Sequence, residues 1–175
     1  MVRGYQEVDL YRYDLSNNLQ EKLYSEFSKT NIDTYNSWIK EEGGHIIIAS
    51  EKDGWRQLYS IDTKDKQLRP ITAGNYYVND VLYSDNKKRS LIFNASGKEA
   101  GRNPYYNHTY KINMDGTGLS LLTPENANHD VSVSPDGKYL FDNVSAPDHP
   151  TKTVLRETAT GKIVAVVSTT ITDEL

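Results

Sequence analysis

Apolar and polar residues alternate along this chain in short runs, and almost nowhere do they recur every three to four positions. Asp130-Val131-Ser132-Val133 alternates cleanly, and Leu10-Tyr11-Arg12-Tyr13-Asp14 and Leu58-Tyr59-Ser60-Ile61-Asp62 carry the same short mixed pattern. A period of two puts successive side chains on opposite faces of a strand. No segment holds a 3.6-residue period over three turns, so the chain reads as all-β. Residues 46–62 show the basic unit. Ile46-Ile47-Ile48 leads in, Lys52-Asp53-Gly54 makes the reversal, and Leu58, Tyr59 and Ile61 carry the next strand. Asp-Gly suits a reversal because glycine accepts a positive φ at no steric cost and aspartate tolerates left-handed backbone.

The unit repeats. Tyr11 and Tyr59 head equivalent runs 48 residues apart, and Tyr110, in Thr109-Tyr110-Lys111-Ile112-Asn113, follows Tyr59 by 51. A period near 50 with several short strands in each repeat predicts a β-propeller, in which each blade is one four-stranded antiparallel sheet. A half blade is expected over 7–27, from strands at 8–14 and 21–27. A full blade follows over 32–72, with strands at 35–39, 45–49, 58–62 and 67–72 and a hairpin turn at Glu41-Glu42-Gly43-Gly44. The next spans 77–122, with strands at 77–83, 90–95, 107–113 and 119–122. The last spans 130–167, with strands at 130–133, 138–142, 151–157 and 163–167. The expectation is a single partial β-propeller domain of about three and a half blades. Trp38, Ile47, Leu58, Val81, Ile92, Tyr110, Val133, Leu140 and Val154 should fill the spaces between sheets.

Composition narrows the function classes. Apolar residues make up 37% of the 175, below the roughly 45–50% of an average globular domain, so one large core is not expected. Thirteen tyrosines fit half-exposed sheet surfaces, with rings packed and hydroxyls wet. A net charge of −4 without a basic block argues against nucleic acid as a partner. No run approaches the apolar length of a membrane helix. With no cysteine there is neither a disulfide nor a thiolate metal site. The four histidines, His45, His108, His129 and His149, fall in different repeats with no Asp or Glu at ligand spacing, so no metal or other cofactor is expected. Three Asn-x-Ser/Thr sequons, at Asn94, Asn107 and Asn143, carry no weight in so Asn- and Ser/Thr-rich a chain.

Several stretches then point to a family. Ser134-Pro135-Asp136-Gly137-Lys138-Tyr139-Leu140 resembles the inner-hairpin signature of propellers in the prolyl oligopeptidase family and of TolB-like periplasmic propellers. Ser50-Glu51-Lys52-Asp53-Gly54-Trp55-Arg56-Gln57-Leu58-Tyr59 resembles the dipeptidyl peptidase IV-like propellers, which usually have His where Gln57 stands. Ala95-Ser96-Gly97-Lys98-Glu99, Gly101-Arg102-Asn103-Pro104-Tyr105-Tyr106 and Leu121-Leu122-Thr123-Pro124-Glu125 match the same family, and Arg3 to Asp14 matches it less closely.

The resemblance implies a serine exopeptidase in which an eight-bladed propeller shapes and gates a chamber beside an α/β-hydrolase domain. Such enzymes release N-terminal X-Pro or X-Ala dipeptides from peptide substrates. It also implies a periplasmic or extracellular setting. The family's nucleophile stands on a Gly-x-Ser-x-Gly elbow, and no such motif occurs in these residues. Catalysis by this chain alone is therefore not expected, and no residue is assigned a catalytic, substrate-binding or metal-binding role. The missing blades and the hydrolase domain would be its partners. Glu41-Glu42 reads as part of a solvated turn, whereas the family's substrate-anchoring glutamate pair lies upstream of the matched region. Arg102, Tyr105 and Tyr106, in the long loop at 96–106, could edge a cavity, since loops carry function; the simpler expectation is that they fasten the loop to its own blade. A self-standing TolB-like binding module is the other reading. Counting strands also predicts an open arc that self-associates, because the eight residues after Val167 cannot supply the two strands missing from the first blade.

Overall fold

The computed structural model describes residues 6–32 and 39–170. The chain divides into two compact units, Met1–Ala73 and Gly74–Leu175. Among the described residues there is no helix; all regular structure is antiparallel sheet.

In the first unit, β1 (Glu7–Asp14) and β2 (Leu19–Phe27) form a two-stranded sheet. Asp14 and Asn17 close their turn by capping the backbone N–H groups of Ser16 and Leu19, and Asn18 takes the left-handed φ. A four-stranded meander follows, of β3 (Ile39–Glu42), β4 (His45–Ser50), β5 (Gln57–Asp62) and β6 (Leu68–Pro70). Period-two patterning sends Ile46, Ile48, Tyr59 and Ile61 to one face, where they pack on Leu23, Leu10 and Tyr24 of the two-stranded sheet.

In the second unit, β7 (Tyr77–Asp85), β8 (Ser90–Ser96), β9 (His108–Asn113) and β10 (Ser120–Leu121) make one sheet. The other is β11 (Asn128–Val133), β12 (Tyr139–Ala146), β13 (His149–Glu157) and β14 (Ile163–Thr169). Ile92 of the first sheet and Leu122, just past β10, meet Val131 and Leu140 of the second sheet in a shared core. Phe93 stacks on Tyr110 with centroids 5.6 Å apart. Gly137, in the Ser-Pro-Asp-Gly turn, has φ +69°, and a Cβ there would lie 2.5 Å from the Tyr83 ring. Only glycine lets that turn close against its neighbour.

Some sequence expectations need correction. Glu41 and Glu42 end strand β3 and the reversal is made by Gly43 and Gly44, both at positive φ. Residues 51–56 form a longer connection between β4 and β5 than a tight hairpin, with Gly54 at φ +90° and its N–H bonded to the Glu51 carbonyl. Ile47, Leu58, Ile92, Tyr110, Leu140 and Val154 are buried as expected. Val81 and Val133 are only half-buried. Val81 adjoins a register shift in β7, an edge strand, and Val133 ends β11, also an edge, so neither is covered by a partner strand on both sides. Trp38 and most of the strand expected at 35–39 lie outside the described residues.

Candidate functional site

The second unit carries a cavity of about 810 Å³. Three connections wall it: the loop between β8 and β9, the link from β10 to β11, and the β12–β13 hairpin. The first loop is held in shape by its own backbone. Tyr106 N–H donates to the Asn103 carbonyl, and Tyr105 N–H to Asn103 Oδ1. Gly97 and Gly101 supply the positive φ angles its bends require. Tyr110 then ties it to the sheet, its hydroxyl donating to Glu99 Oε1 at 2.9 Å. Burial, and then this hydrogen bond to a carboxylate, hold the Tyr110 hydroxyl far above its usual pKa.

Behind the cavity lies a buried polar network that local sequence reading does not reveal. Arg156, 1% exposed, donates through Nε to Asp142 Oδ2 and through Nη2 to Glu125 Oε2, both at 2.7 Å, and through Nη1 to the Gly161 carbonyl at 3.1 Å. His129 Nδ1 lies 3.0 Å from both Asp142 oxygens, and its Nε2 lies 3.2 Å from the Glu125 carbonyl. Burial pushes the Glu125 carboxyl up, but the Arg156 guanidinium, a backbone hydrogen bond and His129 together outweigh this and hold it below its ordinary value. One signal for the network was present. Strand β12 alternates exposed and buried, so Asp142 shares the inward face with Leu140 and Val144, and a buried carboxylate demands a cation.

The histidines sort accordingly. His129 has both ring nitrogens committed, so it cannot serve as a general base. His108 lies beside it, ring centroids 5.3 Å apart, with Nδ1 3.0 Å from the Thr123 carbonyl and Nε2 buried without a hydrogen-bond partner. Burial lowers its pKa, opposed by that carbonyl. His149 is exposed and pairs with Asp148 at 2.8 Å. His45, in the first unit, has Ser60 Oγ at 3.3 Å, but no carboxylate hydrogen-bonds its ring among the described residues, so no triad is assembled. Nor do the described residues hold a group of three His, Cys, Asp or Glu able to bind a metal ion.

Of the loop residues singled out by sequence, Tyr106 lines the cavity with Asn103. Arg102 instead bonds the Glu125 carbonyl at 3.4 Å, pinning the loop to the next connection, and Tyr105 points to solvent, 87% exposed. Glu41 is exposed on β3 and does not line this cavity.

A second, smaller cavity of about 460 Å³ lies in the first unit, between the two-stranded sheet and β4. Its Glu26 carboxylate accepts hydrogen bonds from Ser50 and Tyr24 at 2.7 and 3.1 Å. Burial, then the Glu26 charge, keep the Tyr24 hydroxyl protonated well above its usual range. Among the described residues, neither cavity brings together a nucleophile, a base and an oxyanion donor.

With the sheets and cavities in place, comparison with known proteins is informative. The sequence model of the dipeptidyl peptidase IV (DPP IV) N-terminal region matches residues 1–151. The chain belongs to that family. Its fold is similar to that of dipeptidyl peptidase 4 from Porphyromonas gingivalis, at 20% identity and a TM-score of 0.78 over 94% of this chain. It is equally similar to a Bacteroides ovatus protein provisionally named dipeptidyl aminopeptidase IV, at 20% identity and a TM-score of 0.79 over 94% of this chain. The chain spans only 23% and 26% of the lengths of those two proteins. The DPP IV N-terminal region thus takes here the form of an all-β partial propeller, in meandering antiparallel sheets.

Proposed function

We propose that this chain is part of the propeller wall of a dipeptidyl peptidase IV-like serine exopeptidase, where it shapes and gates access to the chamber in which N-terminal X-Pro or X-Ala dipeptides are released. The match of residues 1–151 to the DPP IV N-terminal region carries this reading. Chemistry would come from an α/β-hydrolase domain outside these 175 residues, in a periplasmic or extracellular protein. The sheets would contribute rigid walls, and the connections at their ends would contribute the surface that meets a peptide. On the same reading the isolated chain self-associates through apolar blade faces that other blades would otherwise cover, and through unpaired strand edges.

The test uses the gene's full reading frame beside the 175-residue chain. The full product should cleave Gly-Pro p-nitroanilide and take a fluorophosphonate label, and the chain alone should do neither, since neither cavity among the described residues assembles a nucleophile, a base and oxyanion donors. A full product that is inert and unlabelled would overturn the exopeptidase reading and favour a self-standing binding propeller. Turnover and label on the 175-residue chain itself would overturn the assignment of catalysis elsewhere.

A further inference from the structure

We propose that the 810 Å³ cavity of the second unit binds a carboxylate attached to an apolar body. Its volume lies in the upper part of the usual range for ligand sites, roughly 300–1,000 Å³. The chemistry follows from asking which lining groups are still uncommitted. Both carboxylates in the wall already have a partner, Glu125 the Arg156 guanidinium and Asp148 the His149 ring. Lys152 does not. It lines the cavity half-buried, on β13, with neither an ion pair nor a hydrogen bond among the described residues.

The amides lean the same way. Asn103 has spent its Oδ1 on the Tyr105 N–H, so Nδ2 is what it has left to offer, and the Asn126 side chain is uncommitted among the described residues. The open groups are thus an ammonium, two amide N–H donors and the Asn126 amide carbonyl, and the ammonium calls for an anionic acceptor. The rest of the lining includes Tyr106 and the buried or half-buried Val144 and Ala146, a surface for an aliphatic or aromatic body. A charge-assisted bond from Lys152 to a carboxylate, beside apolar contact that keeps water out, is the strong form of this interaction. The C terminus of an apolar peptide and a free aryl or alkyl acid share this chemistry.

Isothermal titration of the 175-residue chain separates the outcomes, with N-acetyl-leucyl-phenylalanine and 4-phenylbutyrate as probes and their primary amides as controls. At least one acid should bind, and its amide should bind about tenfold more weakly or worse. Lys152→Gln should bring the acid down to the level of the amide, whereas Lys152→Arg should keep it within about threefold of wild type. Circular dichroism would confirm that both variants fold. Tighter binding of the peptide acid would support the proposal and identify the ligand as a peptide C terminus; tighter binding of the aryl acid would support it and point to a small free acid. Equal binding of acid and amide, an unchanged affinity in Lys152→Gln, or no binding of either acid up to about 10 mM would each overturn it.

Discussion

Arg156 is nearly inaccessible to water and still carries a full charge, which is tenable only because Asp142 and Glu125 both meet its guanidinium. Asp142, itself fully buried, also holds His129. Asp142→Asn would keep the shape but leave Arg156 and His129 facing a neutral amide. Removing one partner of a buried pair costs about 3–5 kcal/mol, so the urea midpoint of the second unit should fall sharply. A change within about 0.5 kcal/mol would mean that the network is not assembled as described. Acid should weaken the same region. The folded-state pKa of His108 lies below its ordinary value of 6.5, so in that window the unfolded chain binds a proton that the folded chain refuses, and stability falls with pH. Glu125 acts in the same direction at lower pH: its contribution is present above its ordinary 4.5 and is lost as pH falls through the depressed folded value. Urea melts at about pH 7.5, 5.5 and 4 should give successively lower midpoints, and His108→Gln should flatten the first step. A midpoint that rose on acidification would refute both assignments.

The β13–β14 hairpin shows how an element depends on one residue in its turn. Gly161 has φ +74°, and a Cβ there would lie 2.5 Å from the Leu122 carbonyl oxygen, a backbone atom that cannot swing aside. Its own carbonyl accepts from Arg156, so the turn also anchors the buried network. Gly161→Ala should therefore cost roughly 2–4 kcal/mol, through strained backbone and a forced shift of the β10 connection. Thermal unfolding would measure it, and a variant as stable as wild type would show that the turn can relax away. Strands and turns of this kind were legible in the sequence because their causes are local: alternation sets the faces, and Asp-Gly, Asn-Asn and Ser-Pro-Asp-Gly set the reversals. What local pattern could not give was the pairing between strands. Arg156 pairs in register with Leu140, two residues from Asp142 along β12 and so diagonal to it on the same face, and Glu125 arrives from a different connection. His108 and His129 likewise meet only because β9 and β11 come together, so four histidines in separate repeats concealed one adjacent pair. The half-buried Val81 and Val133 fail for a related reason, since alternation predicts a face but not whether an edge strand is covered.

At the scale of the whole chain, the edge of the last sheet offers a surface for the proposed self-association. Strand β14 ends the order β11-β12-β13-β14, so among the described residues no strand pairs its outer edge. Its sequence, Ile163-Val164-Ala165-Val166-Val167-Ser168-Thr169, has no charge, proline or glycine, the features that usually blunt an edge. Val164, Val166 and Val167 are 43%, 62% and 53% exposed, so apolar surface lies alongside unpaired backbone donors and acceptors. A second copy of the same strand suits this edge, because neither brings a charge to repel the other and antiparallel pairing would extend the sheet across a two-fold axis. Light scattering behind size exclusion should therefore give a mass that rises above the 19.9 kDa monomer with concentration. Val166→Lys places a charge where the side chain already faces water. It should return the chain to monomer with little change in stability, as edge lysines do in natural sheets. Wild-type protein that stayed monomeric at every concentration would show that β14 is protected in solution. Association undiminished by Val166→Lys would move the contact to another surface.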